Sequence, residues 1–338
     1  MRYVRLGPSG LKVSQICLGT WFLPRSAERD EYGVPKVSLD EFERILRYAL
    51  DKGLNFIDTA NRYHGAMSPV DLPHRGNSER VLGKLVNKLG REQFVIATKV
   101  GLEMAPWPNG KGLSRKHIMW QVKESLRRLQ TEYIDVYLTH TVDPETPKLE
   151  TLRAFNDLIC QGKVLYMGLS NTPPEDVIEC METAREYRLH QPVTIQEGYN
   201  ILRRDIEKAK VPVARRYGLA VMAYSPLAQG LLSGKYLKGI PEGSRATYFR
   251  AFKESITKES LDKVSRLLEI AMEIDVTLPQ LAIAWLLHMQ EKLGVTVIPI
   301  IGATRFEHVQ EDLEALDVRL SGEVLKRIDE VVYGQMGY

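Results

Sequence analysis

Cysteine, long apolar runs and excess charge of one sign are all scarce in this sequence, and each shortage closes off a class of protein. Cys17, Cys160 and Cys180 are the only cysteines in 338 residues, and none falls in a CxxC pair. An odd, scattered count supports neither a disulfide framework nor a zinc knuckle. Buried thiols in a reducing compartment are expected. No stretch approaches the roughly 18 apolar residues of a membrane-crossing helix. The opening MRYVRLGPSGLKVS lacks the apolar core of a signal peptide. A cytoplasmic location without membrane insertion is the expectation. Lysine and arginine number 46 against 43 aspartates and glutamates, a formal charge of +3. That excess is too small to make nucleic acid the main partner. There is no HxH or HExxH, so no metal is expected. No GxGxxG follows the first apolar run, which disfavours a Rossmann nucleotide site.

What the sequence does hold is alternation. Short apolar runs rich in β-branched residues recur at 15–18, 54–57, 94–98, 134–138, 164–169, 193–195, 219–223 and 296–300. Such runs suit parallel strands covered on both faces by helices. Between them lie helical stripes. Phe42, Ile45, Leu46, Ala49 and Leu50 follow i, i+3, i+4, i+7 spacing, and Ile118, Val122, Leu126 and Leu129 make another. Thr172-Pro173-Pro174-Glu175 reads as a helix start, with Thr172 as cap, Pro173 in the first helical position and Glu175 closing a capping box. Eight strands alternating with helices predict a (β/α)8 TIM barrel, read as a single domain over residues 1–338. An open doubly wound sheet is the alternative. Gly7-Pro8-Ser9-Gly10 predicts an N-terminal β-hairpin. An irregular insertion at 64–77 and a long loop at 226–259 fall on the C-terminal face.

In such a barrel the chemistry sits at the C-terminal strand ends. The second run ends at Asp58, with Tyr63 five residues on; the third ends at Lys99 and the fourth at His140. Singly, each has an ordinary structural role. Jointly they point into one pocket. A Lys99 kept cationic by Asp58 is expected to lower the Tyr63 phenol below its ordinary value of about 10. Tyr63 then protonates a developing alkoxide, and neutral His140 orients a carbonyl oxygen. This set supplies no hydride, so a cofactor must.

The segments LGPSGLKVSQICLGT, IDTANRYHG, VIATKVG, DVYLTH, GLSN, AYSPLAQGLLSGKY and IIGATRFEHVQEDLEAL together resemble the aldo-keto reductases over essentially the whole chain. GLLSGKYLKGIPEGSRATY and TLPQLAIAWLL are similar to the branch containing the β-subunits of voltage-gated potassium channels. The resemblance implies a tetrad of Asp58, Tyr63, Lys99 and His140, with NADPH extended across the barrel mouth. Ser170, Asn171 and Gln196 match positions that bind the nicotinamide carboxamide, and Tyr224 matches the residue stacked on its ring. Gly19, Thr20 and Trp21 match the first strand end, beside the cofactor together with Asp58. Ser225, Pro226, Leu227, Gln229, Gly230 and Lys235 match the loop over the pyrophosphate. Gly302, Thr304, His308, Glu311 and Asp312 match the adenosine end. The family usually carries Gln and Asn where this chain has His308 and Asp312.

A 2′-phosphate needs a cation or a helix N-terminus, and arginine's planar fork suits it. Arg305, at the start of an expected helix, and Arg245, in the long loop, favour NADPH over NADH. Trp21, Tyr63, His64 and His140 are the expected substrate wall. The implied activity is NADPH-dependent reduction of a small-molecule aldehyde or ketone, with a homo-oligomer left open. One alternative is an NADPH-binding, redox-sensing subunit of a membrane protein with little turnover. Another is a Schiff-base aldolase with Lys99 as nucleophile.

Overall fold

The computed structural model describes residues 1–66 and 72–334. β1 (Tyr3–Arg5) and β2 (Lys12–Ser14) form the expected antiparallel hairpin. β3 (Cys17–Gly19) follows, then a second hairpin of β4 (Arg25–Arg29) and β5 (Pro35–Val37). The strands and helices then alternate. They run α1 (Leu39–Asp51), β6 (Phe56–Asp58), α2 (Asn77–Leu89), β7 (Val95–Val100), α3 (Arg115–Leu129), β8 (Ile134–Thr139) and α4 (Lys148–Cys160). Next come β9 (Val164–Ser170), α5 (Pro174–Glu186), β10 (Thr194–Gly198), α6 (Ile206–Tyr217) and β11 (Ala220–Tyr224). The chain ends with α7 (Arg250–Ser255), α8 (Lys258–Glu273), α9 (Leu278–Leu293), β12 (Val297–Gly302), α10 (Phe306–Glu314) and α11 (Gly322–Tyr333).

The barrel order is β3-β6-β7-β8-β9-β10-β11-β12, all parallel, and β12 pairs with β3 to close it. The open-sheet alternative is excluded. Each barrel strand continues past the end of its apolar run. Polar residues such as Asp58, Lys99, Ser170, Gln196 and Tyr224 still pair in the ladder, where hydrophobicity no longer marks a strand.

Two apolar layers hold the barrel. Inside it, Cys17, Phe56, Ala97, Val136, Leu138, Met222 and Ile298 pack together. Leu6 and Val13 of the first hairpin join this layer and plug the barrel's lower end. Gly7 allows the close docking: its φ is +58°, and a Cβ there would lie 1.9 Å from the Val193 carbonyl oxygen. Outside, the helices bury one stripe each. On α1 these are Phe42, Ile45, Leu46 and Ala49. Burying a large apolar side chain contributes roughly 1.5–3 kcal/mol, so an aspartate at Ile45 would unseat α1.

Several local expectations need correction. The N-cap of α5 is Pro173 and its first helical residue Pro174, with no side-chain cap. Thr172 is already committed: its N–H donates to Glu197 Oε1 and its hydroxyl donates to the Ser170 carbonyl. The 226–259 segment is structured, with 3₁₀ turns at Ala228–Ser233 and Arg245–Thr247, then α7 and the start of α8. Of the 64–77 insertion, residues 67–71 lie outside the described residues, and α2 begins at its last position. Cys17 and Cys180 are buried as expected, but Cys160 is exposed. Among the described residues no single helix is long and apolar enough to cross a membrane.

Candidate active site

β6 ends in Asp58, and β7 carries Lys99 beside it. Asp58 is 3% exposed and Lys99 fully buried, so each charge needs the other. Lys99 Nζ donates to Asp58 Oδ1 at 2.8 Å and Oδ2 at 2.7 Å, to the Thr59 carbonyl at 2.9 Å and to Tyr63 Oη at 3.1 Å. Gln196 Nε2 donates to Asp58 Oδ1 at 2.7 Å from the far wall. Burial pulls the Lys99 ammonium down, but the charges and hydrogen bonds of Asp58 and Tyr63 outweigh it, and the net shift is upward. A Schiff-base nucleophile needs the free amine, which this arrangement opposes.

Tyr63 follows β6 in a turn held by its N–H to the Ala60 carbonyl. Its phenol moves opposite to the sequence expectation. Burial raises it above its ordinary value, and Lys99 offsets this only in part. An ammonium has no lone pair, so the Lys99 contact fills an acceptor site on Tyr63 Oη. The phenolic proton therefore points elsewhere. His140 directly follows β8, its ring edge-on to Tyr63 at 5.7 Å. Burial, then the charges of Lys99 and Arg62, hold it well below its ordinary value. It is a neutral imidazole at neutral pH.

The ends of β9 to β11 form one hydrogen-bonded group. Ser170 Oγ donates to the Gln196 carbonyl at 3.0 Å. Asn171 Nδ2 donates to the His140 carbonyl at 2.9 Å and to Ser170 Oγ at 3.1 Å. Tyr224 Oη donates to Asn171 Oδ1 at 2.8 Å. Beyond β11 the backbone is strained, with positive φ at Ser225, Ala228, Gln229 and Gly230. Such clusters of left-handed residues occur at ligand clamps, where successive N–H groups form anion-binding concavities.

Three cations stand near this loop: Lys235, Arg245 and Arg305. None makes a side-chain hydrogen bond or ion pair among the described residues. Burial and then the charges of Arg245 and Arg305 lower Lys235. Arg245 is pushed down to about 10 by burial and lies over the Trp21 ring at 5.1 Å and the Phe22 ring at 4.7 Å. Arg305 precedes α10, which carries His308, Glu311 and Asp312. Lys235 and Arg305 are exposed and Arg245 is half-buried, so the three charges are open to an anion.

A profile of the Aldo/keto reductase family matches residues 15–333. The chain belongs to the aldo/keto reductase family. It is 38% identical to a protein of Schizosaccharomyces pombe named as a putative voltage-gated potassium channel subunit beta, over 97% of this chain and 92% of that one. It is 37% identical to a probable channel subunit beta of Arabidopsis thaliana, over 98% and 97%. It is 34% identical to an L-glyceraldehyde 3-phosphate reductase of Escherichia coli O157:H7, over 98% and 92%. As an aldo/keto reductase it is an oxidoreductase of a family that uses NAD(P)H.

The barrel thus brings together the four side chains expected from the sequence of this aldo/keto reductase. Trp21 stacks on Phe22 at 4.7 Å and lies 6.4 Å from Tyr63. His64 Nδ1 accepts the Ala66 N–H, and burial first, then His74 and Arg62, lower its pKa to about 4. Gly19 and Thr20 also reach the mouth, Thr20 through its N–H to the Asp58 carbonyl. Pro226 and Leu227 pack into the loop base, while Gln229 is exposed.

Sequence reasoning missed three neighbours. Phe249 lies 6.2 Å from Trp21 and completes an aromatic wall, but it sits in a segment without periodicity. The charge of Arg62 reaches His64 and His140, and only its place beside Tyr63 hinted at this. Glu41 Oε1 accepts the Phe306 N–H at 3.3 Å, so a carboxylate already sits at the α10 N-terminus, where the sequence expectation put a 2′-phosphate. A phosphate there would have Glu41 as neighbour and competitor. The chemistry of these residues fits a phosphate-bearing dinucleotide: the Lys235, Arg245 and Arg305 charges lie near one another, beside a loop with consecutive positive-φ residues.

Proposed function

We propose that this aldo/keto reductase reduces small aldehydes or ketones to alcohols with NADPH. The observation that carries the reading is the Lys99 ammonium bonded to both Asp58 and Tyr63, with His140 beside them. When bound, the dinucleotide supplies the hydride. Lys235, Arg245 and Arg305 hold its phosphates, and Ser170, Asn171 and Gln196 hold its carboxamide. Gln196 Oε1 is the atom for that task, because its Nε2 is committed to Asp58.

The chain's own groups then handle the oxygen. Neutral His140 donates an N–H to the carbonyl and fixes its angle. Tyr63 gives its proton to the oxygen as negative charge develops there, so one hydride and one proton are added across the C=O. Lys99 stabilises the phenolate left behind, and Asp58 keeps Lys99 cationic. A phenol raised by burial still suits this task, because an alkoxide is far more basic. Trp21, Phe22 and His64 supply an apolar rim that excludes water.

The reading places the chain in the cytoplasm as one domain, acting on a small carbonyl compound, with neither nucleic acid nor membrane insertion involved. The relatives named as channel subunits favour a second reading, a dinucleotide-binding subunit with little turnover. NADPH oxidation with a panel of aldehydes and ketones, beside NADPH titration by fluorescence, separates the two. Turnover with NADPH supports the reductase. Saturable binding without turnover transfers the case to the subunit, and no binding refutes both.

A further inference from the structure

The first three residues of α2, Asn77, Ser78 and Glu79, lie outside the tetrad, yet each is tied to it. The first N–H groups of a helix have no partner inside it. In α2 the first bond within the helix runs from the Arg80 N–H to the Gly76 carbonyl. The Ser78 N–H is therefore available, and it donates to the Tyr63 carbonyl at 3.2 Å. Asn77 Nδ2 donates to the His64 carbonyl at 3.0 Å. The Ser78 hydroxyl, fully buried, donates to the Thr20 carbonyl at 2.9 Å, and Thr20 gives its own N–H and hydroxyl to the Asp58 carbonyl. Glu79 is also fully buried. Its Oε1 accepts the Thr98 hydroxyl at 2.6 Å, and its Oε2 accepts from Arg128 Nε at 2.6 Å. Thr98 directly precedes Lys99 on β7. Gly76 permits this seating: its φ is +77°, and a Cβ there would lie 2.5 Å from Arg128 Cδ.

These bonds form a closed path. It runs from Lys99 to its neighbour Thr98, across to Glu79, along α2 to Ser78, and from the Ser78 N–H to the backbone of Tyr63. It closes where Tyr63 Oη meets Lys99 Nζ at 3.1 Å. β6 has ended at Asp58, so no strand pairing holds Tyr63 in place. Its own turn contributes one bond, from its N–H to the Ala60 carbonyl at 3.1 Å. Fixing the carbonyls of Tyr63 and His64 removes the remaining freedom of that turn. Proton transfer needs heavy atoms about 2.6–3.2 Å apart. A misplacement of about 1 Å costs about 10²-fold in rate. We propose that Ser78, seated by Glu79 and with Asn77 beside it, is a positioning residue for the proton donor, registering Tyr63 against Lys99. This rests on the reductase reading above. In this role Ser78 acts through Tyr63 and touches no substrate.

The test uses the full chain with NADPH bound, as wild type, Ser78→Ala, Asn77→Ala and the two changes together, with folding checked by thermal melts. Single-turnover reduction of one aldehyde should slow about tenfold in each single variant and roughly 10²-fold in the double. NADPH affinity should stay within about twofold of wild type, because the changes act on the proton donor. The deciding arm repeats Ser78→Ala in a Tyr63→Phe background. A residue that acts through the phenol has nothing left to position there, so the change should cost nothing further. Ser78→Ala at the wild-type rate overturns the inference, and so does a loss in Tyr63→Phe equal to the loss in wild type; both leave the reductase reading standing. Wild type that reduces no carbonyl compound sinks the reductase reading and the positioning role with it.

Discussion

Replacing Lys99 with methionine separates the structural and chemical roles of the buried ion pair. Lys99 is fully buried and makes four contacts, two of them to Asp58. Its removal leaves Asp58, 3% exposed, with Gln196 as its remaining side-chain donor. Breaking one side of a buried pair costs about 3–5 kcal/mol, whereas neutralising both sides is often close to neutral. Urea unfolding should therefore find Lys99→Met about 3–5 kcal/mol less stable than wild type, and Asp58→Asn/Lys99→Met within about 1 kcal/mol of it. Reductase activity should behave differently. Both proteins lose the ammonium that lies 3.1 Å from Tyr63, so both should lose activity by roughly 10²-fold or more. A single variant as stable as wild type would refute the burial argument. A double variant that regains turnover would refute the role of Lys99 in supporting Tyr63.

Three further outcomes are expected. Carbonyl reduction needs the Tyr63 phenol, whose value in the folded protein lies above 10. Its rate should hold through neutral pH and fall only as pH rises through that raised value, while alcohol oxidation rises over the same window; steady-state pH profiles check this. His64 falls to about 4 on folding against an ordinary value of about 6.5, so its stabilising contribution is present above that ordinary value and lost as pH drops toward 4. After discounting for partial exposure, His64→Phe should remove about 2 kcal/mol of that acid sensitivity in urea unfolding. Arg245→Gln should weaken NADPH about tenfold and flatten its salt dependence, read by fluorescence titration at two ionic strengths.

The barrel was legible because its strands are short, apolar on both faces and regularly spaced. The clustering of Asp58, Lys99 and His140 was legible because they lie at or next to the ends of consecutive barrel strands, where apolar character gives way. The β4–β5 hairpin was not legible. RSAER carries no apolar alternation, and its turn is set by Asp30 Oδ1 accepting the N–H groups of Tyr32 and Val34. The Tyr63 shift also escaped the sequence, which names charges but not burial. Spacing placed Lys99 beside Tyr63 correctly, while only the folded pocket decides that desolvation outweighs the ammonium. Thr172 failed as a cap for a similar reason, since Glu197 on β10 lies twenty-five residues away in sequence yet claims its N–H.

The central claim is that Tyr63 delivers the proton in an NADPH-driven reduction. Its most direct test is single-turnover NADPH oxidation by wild type and Tyr63→Phe, each with NADPH already bound and with the same aldehyde. The account predicts NADPH affinity within about twofold between the two proteins and a rate lower by roughly 10²–10⁴-fold in the variant. A variant that binds NADPH normally and reduces the aldehyde at the wild-type rate would contradict it.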